Sequence, residues 1–221
     1  MNEKPSTPNA LTVGILALQG AYEAHAKTLT TLGISTKLIR TPDELFTPDG
    51  RPSVDGLIIP GGESTTMLKF LERNGFLDIL TTFVQTTPTF GTCAGAILLA
   101  KDVQHPAQTS LAALDITVER NAYGRQIDST ILVAPTELPG GPLEMVFIRA
   151  PRITRTGPEV ETLATRDGFP VLVRQGNLLA ATFHPELSAD ARVHQLFLDL
   201  IRAHTTPISD RILMPSLRPA Q

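Results

Sequence analysis

The chain has 221 residues, 42% of them hydrophobic and 19% charged, with a formal net charge of −3. That length suits one sizeable domain with a large core, the charge balance argues against a nucleic-acid surface, and no apolar stretch approaches a membrane span. The lone cysteine, Cys93, cannot form an internal disulfide, and residues 1–10 are polar without a secretory core, so the expected location is the cytoplasm.

Residues 11–18 form a short continuous apolar run, as in a strand buried on both faces of a parallel sheet. Gln19-Gly20 ends it, residues 21–32 read as a helix stopped by Gly33, and residues 35–40 read as a second strand. Residues 41–53, rich in Pro, Asp and Gly, predict a loop or a short irregular helix before a strand at 54–59. Pro60-Gly61-Gly62-Glu63-Ser64 breaks that strand, and Ser64, Thr65 and Thr66 are N-cap candidates for a helix over 66–73, closed by Asn74-Gly75. A further helix is expected over 76–85, a strand over 88–92 and a helix over 94–100.

Alternating β and α units imply a parallel sheet with helices on its faces. Later, the runs 115–119, 129–133, 144–148, 160–164 and 171–174 are strand-like and are expected as antiparallel additions to that sheet. An apolar strand at 178–183 precedes an amphipathic helix over 189–204, with Val193, Leu196, Phe197, Leu200 and Ile201 at helical spacing. The expected fold class is α/β: an open, mostly parallel sheet flanked by helices on both faces, with antiparallel additions in the second half. One domain should span residues 11–204, with residues 1–10 and 205–221 as flexible termini.

Cys93 sits in Phe90-Gly-Thr-Cys-Ala-Gly95, where a predicted strand gives way to a predicted helix. A lone intracellular cysteine is ordinarily a small buried hydrophobe. Glycines two residues to either side add no packing there, whereas a sharp strand-to-helix elbow that presents a nucleophile requires them. The start of the following helix favours thiolate over thiol. After the apolar run at 178–183 comes His184-Pro185-Glu186, a base and a carboxylate together. Taken singly, His184 could be a satisfied strand-end histidine and Glu186 a solvated carboxylate. With Cys93 they make a catalytic triad available.

In such sheets ligands sit beyond the carboxyl ends of the strands, where the loops around Gly61, Cys93 and His184 all fall. Gly61-Gly62 could be a plain tight turn, and no Gly-Lys-Ser/Thr follows to support a phosphate loop. The favoured reading is an oxyanion hole built from amides near Gly61 and Gly62 together with the Ala94 N–H. Acyl transfer follows, with an amide-bearing substrate giving an amidase, though these elements alone do not identify glutamine. The five histidines (His25, His105, His184, His194, His204) show no ligand spacing with Cys93, so no metal and no cofactor are expected.

Over about residues 13–203 the sequence resembles the glutaminase subunits of two-component pyridoxal 5′-phosphate synthases, within the class I (triad) glutamine amidotransferases. The resemblance rests on Leu18-Gln19-Gly20, Pro60-Gly-Gly-Glu-Ser-Thr-Thr-Met67, Phe90-Gly-Thr-Cys-Ala-Gly95, Val118-Glu-Arg-Asn121, Tyr123-Gly-Arg-Gln126, Val146-Phe-Ile-Arg-Ala-Pro151 and Phe183-His-Pro-Glu-Leu187. It implies L-glutamine as substrate, hydrolysed to glutamate and ammonia. The glutamine would be held by Gly61, Gly62, Glu63, Arg120, Ile148 and Arg149, with the guanidinium groups suited to the α-carboxylate. As loose surface arginines they would carry little. It also implies a (β/α)8-barrel synthase partner that receives the ammonia through a tunnel and joins it to ribose 5-phosphate and glyceraldehyde 3-phosphate. Family members are typically switched on by docking, and a Gly61-Gly62 peptide that flips at little steric cost would suit such a switch.

The loop 41–53, the His105-Pro106 step and the Pro-rich tail depart from the family pattern without touching a catalytic position. Two rivals are weighed. An amidotransferase subunit of another synthase would keep Cys93, His184 and Glu186 but has no reason to carry Phe147-Ile-Arg-Ala-Pro151. A redox-sensing thiol protein on a similar sheet would need neither His184-Pro185-Glu186 nor the Gly61-Gly62 loop.

Overall fold

The computed structural model describes residues 11–120 and 129–205. The expected flexible segments 1–10 and 206–221, and the motif residues Asn121 and Tyr123 to Gln126, lie outside the described residues.

The first half of the chain is built from βα units. Strand β1 (Thr12–Leu16) leads through helix α1 (Tyr22–Thr31) to β2 (Ser35–Ile39). A 3-10 turn at Pro42–Glu44 punctuates the following loop, and β3 (Gly56–Ile59) comes next. Helices α2 (Ser64–Leu71) and α3 (Phe76–Thr86) then return the chain to β4 (Thr89–Thr92), and the short α4 (Ala94–Leu99) follows at once. Strands β5 (Ala100–Gln104), β6 (Leu114–Glu119), β7 (Thr130–Ala134), β8 (Leu143–Phe147), β9 (Arg152–Thr156), β10 (Glu161–Arg166), β11 (Phe169–Gln175) and β12 (Leu178–Ala181) precede the closing helix α5 (Arg192–Thr205).

The main sheet has seven strands in the order β10-β11-β12-β4-β3-β1-β2. Its five strands from β12 to β2 are parallel, and β11 and β10 extend it antiparallel. Strand β12, late in sequence, is inserted between β11 and β4, so Ala181 lies beside Thr92 at the carboxyl end of both strands.

Alternation along the strands divides the core between two faces. Val13, Ile15 and Ile58 pack on one side with Leu29 of α1 and Val193, Phe197 and Ile201 of α5. Leu16, Leu57 and Ile59 pack on the other with residues of α2, α3 and α4. Every residue of α4 is buried, which is why its sequence is apolar all round rather than on one stripe. Burying a side chain such as Phe197 completely stabilises the fold by about 1.5–3 kcal/mol through removal of apolar area from water.

Several expectations need correction. Helix α2 starts at Ser64, and its N-cap is Glu63 rather than Ser64, Thr65 or Thr66: the carboxylate reaches forward to the Thr65 and Thr66 N–H groups. Ala100 opens a strand instead of ending a helix, and the sequence pattern predicts neither β5 nor β9. Of the strand-like runs of the second half, only those at 160–164 and 171–174 join the main sheet. Strand β6 pairs with β5 and β9 in a three-stranded sheet, and β7 with β8 in a two-stranded one. Thr205, expected in the tail, is the last residue of α5.

Candidate active site

Cys93 caps α4 in a conformation with φ 46° and ψ −101°, in the left-handed region that residues with a side chain avoid. Such a backbone costs on the order of 1–3 kcal/mol and persists because the surroundings over-determine it. Its N–H donates to the Ala181 carbonyl of the adjacent strand at 2.8 Å, and its carbonyl accepts from the Ile97 N–H at 3.2 Å. Gly95 lets α4 come this close to the sheet: a β-carbon there would overlap the Ile59 carbonyl oxygen. Cys93 is thus held on a sharp elbow, 6% exposed, with the Ala94 amide immediately after it.

His184 follows β12, its N–H bound to the Val146 carbonyl at 2.8 Å, and the 3-10 turn Pro185–Leu187 folds Glu186 back beneath the ring. His184 Nδ1 and Glu186 Oε1 are 2.7 Å apart, and both residues are buried. Because Nδ1 is committed to Glu186, Nε2 is the ring nitrogen left for chemistry. Burial opposes a charge on this imidazole, but hydrogen bonding to Cys93 and Glu186 and their electrostatic attraction outweigh it, pushing the His184 pKa from 6.5 up to about 10.

Gly61 lies against both catalytic candidates. A β-carbon on it would overlap His184 Cε1 and sit 3.3 Å from Cys93 Cβ. Its carbonyl accepts from the Ala21 N–H at 2.9 Å, which ties the Gly61-Gly62 peptide to the start of α1. The N–H of the same trans peptide, carried by Gly62, therefore points away from Ala21.

In front of Cys93 opens a cavity of about 300 Å³, lined by Gln19, Gly62, Glu63, Ser64, Cys93, Ile97, Arg120, Ile148, Arg149 and His184. Five of the six residues expected to hold substrate are on that wall, and the sixth, Gly61, lies behind it against His184. Glu63 spends much of its acceptor capacity on α2, taking hydrogen bonds from the Thr65 and Thr66 N–H groups and from Thr66 Oγ1. A carboxylate has about four acceptor positions, so capping leaves room for a ligand cation. Burial raises the Glu63 pKa, but the hydrogen bonds from Thr66 and Thr65 dominate together and hold it below the usual glutamate value. Arg120 donates from Nη2 to Thr65 Oγ1 at 2.7 Å and lies 3.6 Å from Glu63 Oε1, so it is aimed rather than loose. Arg149 sits at φ 46° on the turn after β8, beside the exposed Ile148.

Gln19 and Ser64 are site residues that sequence reasoning leaves unassigned. Gln19 Oε1 accepts the Glu63 N–H at 2.9 Å, and a β-carbon on Gly62 would come within 2.5 Å of the same oxygen. A signal exists for Gln19: it follows β1 at its carboxyl end, the location that gathers the other loops.

A buried thiol on a strained elbow, an imidazole paired with a carboxylate, backbone amides beside both, and two arginines across a cavity suit acyl transfer on a substrate bearing a carboxylate. Comparisons with known proteins give the family. Residues 15–203 match the model of the SNO glutamine amidotransferase family. A protein of Koribacter versatilis named pyridoxal 5′-phosphate synthase subunit PdxT is 58% identical over 190 residues, covering 86% of this chain and 95% of its own length. One of the same name from Thermotoga sp. (strain RQ2) is 47% identical over 193 residues, covering 86% of this chain and 99% of its own. A crystal structure described as a glutamine amidotransferase superposes with a TM-score of 0.77 at 45% identity, covering 86% of this chain and 98% of that one. A putative GMP synthase subunit from Thermoplasma acidophilum, at TM-score 0.63 and 15% identity over 90% of this chain and 97% of its own, shares the fold. Sequence and architecture together place the chain in the SNO glutamine amidotransferase family.

Proposed function

We propose that the chain is the glutaminase subunit of a pyridoxal 5′-phosphate synthase, hydrolysing L-glutamine to L-glutamate and ammonia. The observation that carries the reading is the 2.7 Å pairing of His184 with Glu186 beside Cys93, at the mouth of a cavity with Arg120 and Arg149 on its wall. The relatives' names narrow the amidase to the vitamin B6 branch.

In this mechanism Cys93 Sγ attacks the side-chain amide carbon of glutamine as a thiolate, and the carbonyl oxygen becomes an oxyanion facing the amides near Gly61, Gly62 and Ala94. Protonated His184 Nε2 delivers its proton to the amide nitrogen, the C–N bond breaks, and ammonia leaves a thioester on Cys93. Neutral His184 then takes a proton from water as it attacks the thioester, the C–S bond breaks, and glutamate departs with the thiolate restored. Glu186 holds the imidazole in one orientation through both steps. Gly62, Glu63, Arg120, Ile148 and Arg149 hold the amino-acid end of the substrate. Ammonia then passes to a (β/α)8-barrel synthase subunit in a cytoplasmic hetero-oligomer, which combines it with ribose 5-phosphate and glyceraldehyde 3-phosphate.

The test is Cys93→Ala in the reconstituted complex. Glutamine-dependent synthesis should vanish while synthesis from added ammonium continues; retention of the first, or loss of both, defeats the reading. Glutaminase rates with and without the barrel subunit test docking control, and equal turnover in the two would remove it.

A further inference from the structure

Behind Glu186, on the side away from His184, lies a second histidine that the mechanism above does not use. His25 of α1 is fully buried, as is His194 of α5, and His25 Nδ1 lies 3.0 Å from His194 Nε2. The other nitrogen, His25 Nε2, is 3.1 Å from Thr92 Oγ1 and 3.4 Å from Glu186 Oε2. Among the described residues neither Glu186 Oε2 nor His194 Nδ1, both buried, has a hydrogen-bond partner, and the hydrogen-bond partner of His25 Nε2 is Thr92 Oγ1. Phe90 stands edge-on to both rings, at 6.2 Å from His25 and 6.1 Å from His194, and closes the cluster with an apolar wall.

The direction of this chain of contacts follows from simple electrostatics. Burial above all, then the neighbouring His194 and His184, hold the His25 pKa well below 6.5, and burial holds that of His194 down at about 4. Both rings are therefore neutral near pH 7, with one N–H each. A carboxylate oxygen at 3.4 Å repels a ring lone pair and attracts an N–H, so the His25 proton belongs on Nε2. His25 Nδ1 is then an acceptor and takes the N–H of His194 Nε2. That leaves His194 Nδ1 as a bare lone pair, the less costly way to bury an unpartnered nitrogen.

We propose that His25 is a positioning residue for glutamine hydrolysis: its Nε2–H, hydrogen-bonded to Thr92 Oγ1, sets the positive edge of the ring 3.4 Å from Glu186 Oε2 and so favours the carboxylate orientation that keeps Oε1 on His184 Nδ1, with His194 fixing the tautomer of His25. This rests on the glutaminase reading above. The groups facing Glu186 are His184 on one side and His25 on the other, and Cys93 faces His184. A carboxylate hydrogen-bonded through one oxygen and facing a ring N–H with the other is biased against rotating away from the imidazole it orients.

The experiment uses His25→Leu, His25→Asn and His25→Gln, assayed as glutaminases in the complex with the synthase subunit. Glutamine retains an N–H near the position of Nε2, whereas the shorter asparagine cannot reach Glu186. Folded His25→Leu and His25→Asn should lose about tenfold or more in kcat, as for one lost polar contact with a charged group. Their KM for glutamine should stay within about twofold, because substrate contacts are untouched, and His25→Gln should stay within about threefold of wild type in kcat. A second readout needs no glutamine: ¹⁵N-histidine NMR of the free chain follows His184, whose titration midpoint should fall by about one pH unit in His25→Asn and hold in His25→Gln, since a loosened Glu186 stabilises the imidazolium less.

An unchanged kcat and His184 midpoint in folded His25→Asn overturns the proposal, as does a His25→Gln variant as impaired as His25→Leu. If His25→Leu does not fold, the two carboxamide variants decide. A wild-type complex that does not hydrolyse glutamine defeats the glutaminase reading instead, and the NMR titration then decides the His25–Glu186 linkage alone.

Discussion

The parallel core of the main sheet and the small sheets of residues 100–156 contribute differently to the site. Cys93, His184 and the Gly61-Gly62 loop stand at carboxyl ends of β4, β12 and β3, neighbouring strands fixed by backbone pairing and covered by helices. Arg120 follows β6, and Ile148 and Arg149 follow β8, in a three-stranded and a two-stranded sheet where β7 leaves Ile131 and Val133 about two-thirds exposed at 66% and 67%. The lesson is a division of labour. Groups that must meet within hydrogen-bond distance rise from the main sheet, whereas the two arginines proposed to grip the far end of a substrate rise from the smaller sheets.

His184→Ala should break the rigid side most severely, lowering glutaminase kcat by about 10⁴-fold or more in the complex, as for loss of a triad member. Gly61→Ala comes next. Its β-carbon would overlap the imidazole, so kcat should fall about 10²-fold, comparable with loss of one oxyanion donor, while circular dichroism stays that of the parent. On the other side of the comparison, Arg120→Met and Arg149→Met should raise KM for glutamine by about tenfold, with kcat within about threefold. A fall in kcat as deep as that of His184→Ala would erase the distinction between the two regions.

Proton uptake on unfolding sharpens the picture of the rigid half. His25 and His194 have folded pKa values below 6.5, so their stabilisation is present above pH 6.5 and fades as pH falls below it, for His194 toward about 4. His184 has a folded value near 10, so its contribution is complete below pH 6.5 and is lost as pH rises toward about 10. At pH 5 His194 should therefore take up about one proton on unfolding, with His25 adding to it, measurable by calorimetry in buffers of different ionisation enthalpy. The carboxylates add their own uptake at acid pH, so His194→Phe is the control that should reduce it. The smallest effect is expected at the periphery: Ile131→Thr and Val133→Thr, both exposed, should move the urea midpoint by no more than about 0.5 kcal/mol of stability.

The elements proposed as catalytic were legible in the sequence because each is a local signal. The apolar run into Phe90, the small residues around Cys93 and the His184-Pro185-Glu186 element name an elbow and its partners without knowledge of the fold. Helix α2 shows the limit of local reading: Glu63, Ser64, Thr65 and Thr66 are consecutive polar residues, and only the chain's path out of β3 decides that Glu63 caps. Strand β9, Arg-Ile-Thr-Arg-Thr over Arg152–Thr156, has one buried side chain and takes its identity from pairing with β6, so its own pattern is weak. The contact between His25 and His194 spans 169 positions and joins two helices on one face of the sheet. Each histidine alone reads as a polar residue in an amphipathic helix, and nothing local indicates that both turn inward.

Strand β12 enters the sheet between β4 and β11 although it is the last strand in sequence among the described residues. The Ala181 carbonyl that pins the Cys93 N–H belongs to it, and His184 and Glu186 follow within a few residues. Without β12 the Cys93 N–H would lack the backbone partner that helps to hold its turn in the left-handed region. Pairing of β12 with β4 thus brings the backbone anchor, the imidazole and the carboxylate to the thiol as one unit. Fraying of that one strand would therefore dismantle the elbow and its two partners at once.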